Sequence, residues 1–553
     1  MGWVRKVFAR GDVKILAMPS HLKKYSIPAV IATGLAALLI SACGGSDDSG
    51  SDALAKFAPA DTAVFIEGTV QPEGDVAENL DALSERIAGV NVGDLIKDGI
   101  ADEGEVDFDT DIKPWLGENA GAFLNFDAAS LTDSATDGAV SSMTSDGPGM
   151  TELAGGDDSF GGIIVESTDT EAAQAFIDKR AESEGNAKEG EYEGFSYKVS
   201  SKDGGAVGIV DDYVVIGSTE DEFKAAVDAS KGDNLAGTDM FGDLSGHVED
   251  GALLSVFSSN EPYVKAIEEE GLDFSGLYSA LGVELEDTGT VLSLVPEADE
   301  ISMKGYSNAG TDLTSGDPSA VIETFPADSI VAAGSGDVGP NVTKIIDALN
   351  EEGVPSFLKP GEVDKAIDES SGQIDVKGIL DSLETVAFFV NGKNERTLSG
   401  ALVATSSDIE PIESSLRALS SFIGFASDAS VRPLSGGIAG FRVFTDELPG
   451  RPIVVGVKGD RLVIGVGLKA SLNALSGSGQ TLADSENYKA ADASTEKDGL
   501  TMYADPAGIA NLVASLQGKT AKQAAEIIRR FEYIAAGSSD EEGTFEFNVG
   551  VKE

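Results

Sequence analysis

Phe57–Gly68 reads FAPADTAVFIEG, and Thr324–Ser335 reads TFPADSIVAAGS. In both, P-A-D leads into an apolar run of strand length. The chain has 553 residues, more than one ordinary core holds. A repeated opening therefore suggests that one domain is written twice.

Further landmarks recur in the same order. Asp111–Phe126 (DIKPWLGENAGAFLNF) aligns with Asp375–Val390 (DVKGILDSLETVAFFV), which sets Trp115 against Ile379. Gly162–Ser167 (GIIVES) aligns with Gly400–Thr405 (GALVAT), and each leads into a helix-like segment. Asp212–Gly217 (DYVVIG) aligns with Asp460–Gly465 (DRLVIG), and Asp250-Gly251 with Asp498-Gly499. The landmarks divide the chain into repeat domain 1 over 55–317 and repeat domain 2 over 318–553. Their spacing puts about 26 extra residues into copy one. These fall within Asp127–Ser159, a Ser-, Thr-, Asp- and Gly-rich stretch expected to be a mobile insert. Copy two carries about 10 extra residues near Phe425–Gly437.

Each copy reads as α+β: a mainly antiparallel sheet covered by helices on one face. Val207–Val210 and Tyr213–Ile216 flank Asp211-Asp212, a hairpin signal. In Glu220–Ser230, Phe223, Ala226 and Val227 share one helical face. Val291–Val295 and Ile301–Tyr306 are expected to close copy one, and Thr544–Val551 to close copy two.

The first 42 residues read as a signal peptide. Lys23 and Lys24 precede the apolar run Ile27–Ile40, which is too short for a membrane span. The run ends in Ile40-Ser41-Ala42-Cys43, whose cysteine is the only one in the chain. This resembles a bacterial lipobox and implies cleavage before Cys43, diacylglycerol on its sulfur and an outward-facing position on the cell membrane. A buried thiol after a plain signal peptide is the rival reading. Residues 43–54 read as a flexible acidic Gly/Ser tether, and Met18 is an alternative translation start.

The net charge is −56, from 39 basic and 95 acidic side chains. Such a surface repels nucleic acid and anionic headgroups. It serves solubility, or it forms a diffuse reservoir for divalent cations.

The remaining motifs are decoys. Gly334-Ser-Gly-Asp-Val-Gly339 imitates a dinucleotide loop, but the segment after it carries no second strand ending in an acid. It reads as a strand-to-helix turn with Pro340 at the first helical position. Asp107–Asp111, with Glu118 behind it, imitates a calcium loop but has Ile112 where glycine is needed, so a solvated turn is expected. Gly518-Lys519-Thr520 has Val513 in place of the first P-loop glycine. Ser356–Lys359 has serine–lysine spacing, but Pro360 follows. His247 is the one histidine after Cys43 and sits in a loop, with its counterpart near Thr495. Trp115 is read as core. Lys519, Lys522, Arg529 and Arg530 form a basic patch on a helix expected over Thr520–Ile534.

The lipobox, the P-A-D-T-A-V-F-I-E opening, D-I-K-P-W-L-G and the duplication resemble a family of actinobacterial lipoproteins known only as a domain of unknown function. That resemblance implies export and a two-copy layout, and it supplies no catalytic or binding residues. The reading is a lipid-anchored, non-enzymatic envelope protein with a binding or structural role. It needs no cofactor, and its membrane contact is the diacylglycerol on Cys43. The alternatives are a carrier of a small or lipid ligand held between the repeats, and a hydrolase built on carboxylates.

Overall fold

A computed structural model describes residues 50–88, 107–125, 161–201, 204–269, 273–283, 285–354, 357–370, 376–426, 430–446, 448–495, 499–516, 518–538 and 542–552. The expected signal segment, Cys43 and the expected insert at 127–159 lie outside them. The chain divides into two units, Met1–Gly271 with Leu285–Ala298, and Leu272–Glu284 with Asp299–Glu553.

The first unit holds β1 (Val64–Thr69), β2 (Leu116–Leu124), β3 (Gly162–Ser167), β4 (Lys188–Tyr192), β5 (Phe195–Val199), β6 (Ala206–Val210), β7 (Tyr213–Gly217), β8 (Leu254–Ser259) and β9 (Gly289–Pro296). They pair antiparallel in the order β9-β8-β1-β2-β3-β7-β6-β5-β4. The β6–β7 hairpin turns at Asp211, whose φ of 53° is the left-handed value that Asp tolerates.

Side chains alternate across a strand, so neighbouring positions report opposite faces. Ile163, Val165, Val214 and Ile216 pack with Ala173, Phe176 and Ile177 of the helix Thr170–Glu184. Asp169 caps that helix by accepting from Ala172 N at 3.0 Å. On the other face, a Cβ at Gly208 would lie 3.0 Å from the Phe223 ring of the helix Glu220–Lys231. Helices thus cover both faces, not the one face expected. Both faces of these strands are apolar, and each needs a cover.

The expected tether also ends early. Gly50–Ala55 is a helix, with Leu54 and Ala55 fully buried. Burial of these apolar side chains ties the segment to the unit.

The second unit holds β10 (Glu300–Ser307), β11 (Ser329–Ser335), β12 (Leu383–Asn391), β13 (Ser399–Ser406), β14 (Ser430–Pro433), β15 (Ala439–Phe444), β16 (Ile453–Lys458), β17 (Arg461–Val466), β18 (Leu500–Ala504), β19 (Phe531–Ser538) and β20 (Thr544–Val551). Their antiparallel order is β10-β20-β19-β18-β11-β12-β13-β17-β16-β15-β14. From β19 to β14 this repeats the first unit's order, strand for strand. Ile301–Tyr306 lies within β10, which pairs antiparallel with β20.

Hydrogen-bond register corrects two of the aligned landmarks. Ser167 N donates to Asp212 O, and Ser406 N donates to Asp460 O. Ser167 is therefore matched by Ser406, one residue beyond the position that GIIVES and GALVAT suggest. Thr168 N donates to Trp115 O and Ser407 N to Ser382 O, so Ser382, not Ile379, stands where Trp115 does. A one-residue slip exchanges the two faces of a strand, so these corrections decide which side chains correspond.

Candidate functional site

An apolar row on the second unit's sheet is the outstanding surface feature. Phe388 on β12 faces Leu402 on β13, which faces Ile464 on β17. They are 43%, 41% and 45% exposed. The corrected register matches them to Ala122, Ile163 and Ile216 of the first unit, which face one another in the same way. Those are 5%, 1% and 2% exposed. One row is core and the other is surface.

The cause lies in the covering elements. In the first unit, Trp115, Phe176 and Ile177 pack over the row. Trp115 is held by its indole Nε1–H, which donates to Asp111 O at 2.8 Å, and its ring lies 5.7 Å from that of Phe176. In the second unit Ser382 replaces this tryptophan. The helix Glu410–Ala426 instead packs through Ile412 and Leu416 against Phe441, Val443 and Val457 of β15 and β16.

The row continues past its three exposed members through half-buried apolar positions. Phe388 also faces Ala333 on β11, and Ala333 faces Met502 on β18. Beyond them the row continues through Ala536, Phe547 and Met303 on β19, β20 and β10. Eight strands at a spacing of ~4.8 Å make it about 34 Å long. A parallel row from Ile301 through Val549, Ile534, Ala504, Val331 and Val390 to Val466 is also apolar, half-buried at most positions and buried at Ala504. A solvated sheet face alternates to polar residues. No side chain of either row offers a hydrogen bond, and contiguous apolar surface of this kind marks an interaction site.

Glu67 on β1 is a second unusual group, and nothing in the sequence singled it out. It faces Gly121 and Ser255, and its Oε2 is buried without a hydrogen-bond partner. Burial pushes its carboxyl up to about 8, and the nearby Asp52 charge adds to the rise. Pairing of β1 with β2 and of β11 with β12 sets Gly334 in the matching place, so the second unit has no such acid.

The motifs weighed in the sequence fall apart in the structure. β11, which ends in the glycine-rich stretch, has antiparallel neighbours on both sides, so there is no parallel βαβ unit. Its glycines serve close packing: a Cβ at Gly339 would lie 2.5 Å from Leu383 O, and one at Gly334 2.6 Å from Ala387 Cβ. The helix that follows starts at Val338, so Pro340 is its third residue rather than its first. Its missing N–H still costs nothing there, because first-turn donors have no helical partner. Asp107 caps a π-turn over Phe108–Ile112, and Asp111 is held below the usual carboxylate range, chiefly by its hydrogen bond from Lys179 at 2.6 Å. These acids are spent on local structure. Among the described residues no group of three His, Cys, Asp or Glu side chains is placed to hold a metal ion. His247 N donates to Leu244 O just after a short helix. Ser356 lies outside the described residues. The basic helix spans Lys519–Ile528 and gives way to β19, so Ile534 is in a strand. Alternating Phe531, Tyr533 and Ala535 favour the strand there. No helix among the described residues is long and apolar enough to cross a membrane.

No curated protein matches the chain. Two solved structures do, crystal forms I and III of TP0453. The first is 12% identical over 49% of this chain and 82% of that one, with a TM-score of 0.24. The second is 11% identical over 78% and 98%, with a TM-score of 0.18. Scores this low carry no argument about fold or task. A family model, described as a protein of unknown function (DUF3352), matches residues 26–548. With nearly its whole length matched, the chain belongs to the DUF3352 family.

Proposed function

We propose that this protein is a lipid-anchored, outward-facing envelope protein whose task is binding rather than catalysis, and that it holds the hydrocarbon part of a lipid on the open sheet face of its second unit. The observation that carries the reading is the Phe388–Leu402–Ile464 row, exposed where its first-unit counterpart is core. The central strands of that face have both edges paired, so a partner cannot add as a further strand. Protein interfaces use about one hydrogen bond per 100–200 Å², and these rows offer none. A hydrocarbon chain asks for none. One leaflet of a bilayer is about 15 Å of hydrocarbon, which the row accommodates along its length.

The equal strand order of the two units and the repeated P-A-D opening support a duplication of one ancestral domain. In that reading the second copy gave up its covering tryptophan and gained a binding face. Ile40-Ser41-Ala42-Cys43 supports anchoring through Cys43. Native mass spectrometry of protein purified from its own host tests the binding. A bound lipid that is lost in Leu402→Lys supports the reading, and an empty protein in lipid-replete cells overturns it. Fatty-acid labelling that persists in Cys43→Ser would refute the anchor.

A further inference from the structure

We propose that the helical hairpin formed by Pro506–Ser515 and Lys519–Ile528 docks on the surface of an anionic bilayer. The hairpin stands apart from the chain in charge. With 95 acidic side chains against 39 basic ones, most of the surface repels anionic lipid. Here the first helix, PAGIANLVAS, has no charged residue. The second opens at Lys519, exposes Lys522, and is followed by exposed Arg529 and Arg530. Lys552 adds a further cation by donating from Nζ to Arg529 O at 2.9 Å. Glu526 is the one acid within the second helix.

Apolar side chains are exposed among these cations. Leu516, at the turn between the helices, is 57% exposed, and Ile527 is 43% exposed. Ala525 is fully buried on the opposite side of the second helix, so Lys522, Gln523, Glu526 and Ile527 form its outer face. Arg529 ties the two helices together by donating from Nη2 to Asn511 Oδ1 at 3.3 Å. Cations beside exposed leucine and isoleucine on a helix face suit a bilayer interface, with the bases at the phosphates and the apolar tips among the acyl chains. An acidic protein would satisfy the bases and leave Leu516 and Ile527 unused. The proposal rests on the charge and exposure of this hairpin and does not depend on the lipid reading of the sheet face.

Vesicle flotation tests the proposal with protein that starts at Gly44, which lacks the acyl site and keeps every described residue. Vesicles of pure phosphatidylcholine are compared with vesicles containing phosphatidylglycerol. The expected result is binding only to the anionic vesicles, weakened by salt. Replacing Lys522, Arg529 and Arg530 by Gln should lower partitioning by about a hundredfold, because each base near such a surface contributes about fivefold. Leu516→Ser with Ile527→Ser should weaken it with no change in salt dependence. Circular dichroism confirms that each variant is folded. If the Arg529 and Arg530 changes unfold the protein, Lys522→Gln alone should still give about a fivefold loss. Equal binding to both vesicle types, or unchanged binding by the folded charge variants, overturns the proposal.

Discussion

Replacing Phe388, Leu402 and Ile464 by threonine tests whether the open row holds a hydrocarbon. Burying a Leu, Ile or Phe side chain completely is worth ~1.5–3 kcal/mol. Each of these residues keeps 41–45% of its surface exposed. Covering that remainder contributes about 1 kcal/mol per position, and about 3 kcal/mol for the three. The triple variant should therefore bind a fluorescent fatty acid about 150-fold more weakly. The added hydroxyls, desolvated without partners under a bound chain, push the loss further in the same direction. Folding stability should hardly change, because threonine suits a strand and the positions face solvent. Ile163→Thr, at the buried counterpart of Leu402, should instead cost ~2 kcal/mol or more in urea unfolding. A triple variant that binds as tightly as the parent refutes the assignment of the ligand to this row. A triple variant as destabilised as Ile163→Thr refutes the claim that the row is open.

Other parts of the structure make separate predictions. The Glu67 carboxyl is raised to about 8 in the folded protein from an ordinary 4.5, so the folded state holds its proton longer than the unfolded state does. Stability should then fall as pH rises from about 4.5 to 8, by on the order of a few kcal/mol, and Glu67→Gln should flatten that slope in urea unfolding; an unchanged slope would exclude Glu67 as the source. Trp115→Ala should cost ~3–5 kcal/mol by removing a buried ring and its indole hydrogen bond, and a loss below 1 kcal/mol would contradict its role as the cover of the first unit's row. Gly339→Ala forces a Cβ against Leu383 O and Leu380 O, both backbone atoms, and should lower stability by ~1–3 kcal/mol; a variant of unaltered Tm would show that these glycines are not held by packing.

Much of the fold is legible in the amino-acid pattern. β-branched alternation marks Tyr213–Ile216, Asp211 marks its hairpin, and the spaced apolar residues of Glu220–Ser230 mark a helix. The repeat is legible because P-A-D and D-x-x-V-I-G survive in both copies. Register is harder to read. Gly162 and Gly400 look equivalent, yet the backbone ladder pairs strands one residue further along, because strand-to-strand hydrogen bonds rather than residue identity set the match. The open row was hidden by the same fact. Leu402 and Ile464 read as ordinary strand residues, and only their exposure in the folded unit makes them a site. It goes with Ser382 standing in the place of Trp115, a pairing the sequence alignment assigned to Ile379. Glu67 gave no signal either, since one acid among 95 acquires meaning only through burial.

Photo-crosslinking tests the central claim most directly. The protein is loaded with a fatty acid carrying a diazirine at the end of its chain, irradiated and mapped by peptide mass spectrometry. Label concentrated on the strands that carry Phe388, Leu402 and Ile464 is the result the open-face reading requires. Label spread evenly over the protein, or concentrated away from these three strands, would contradict it.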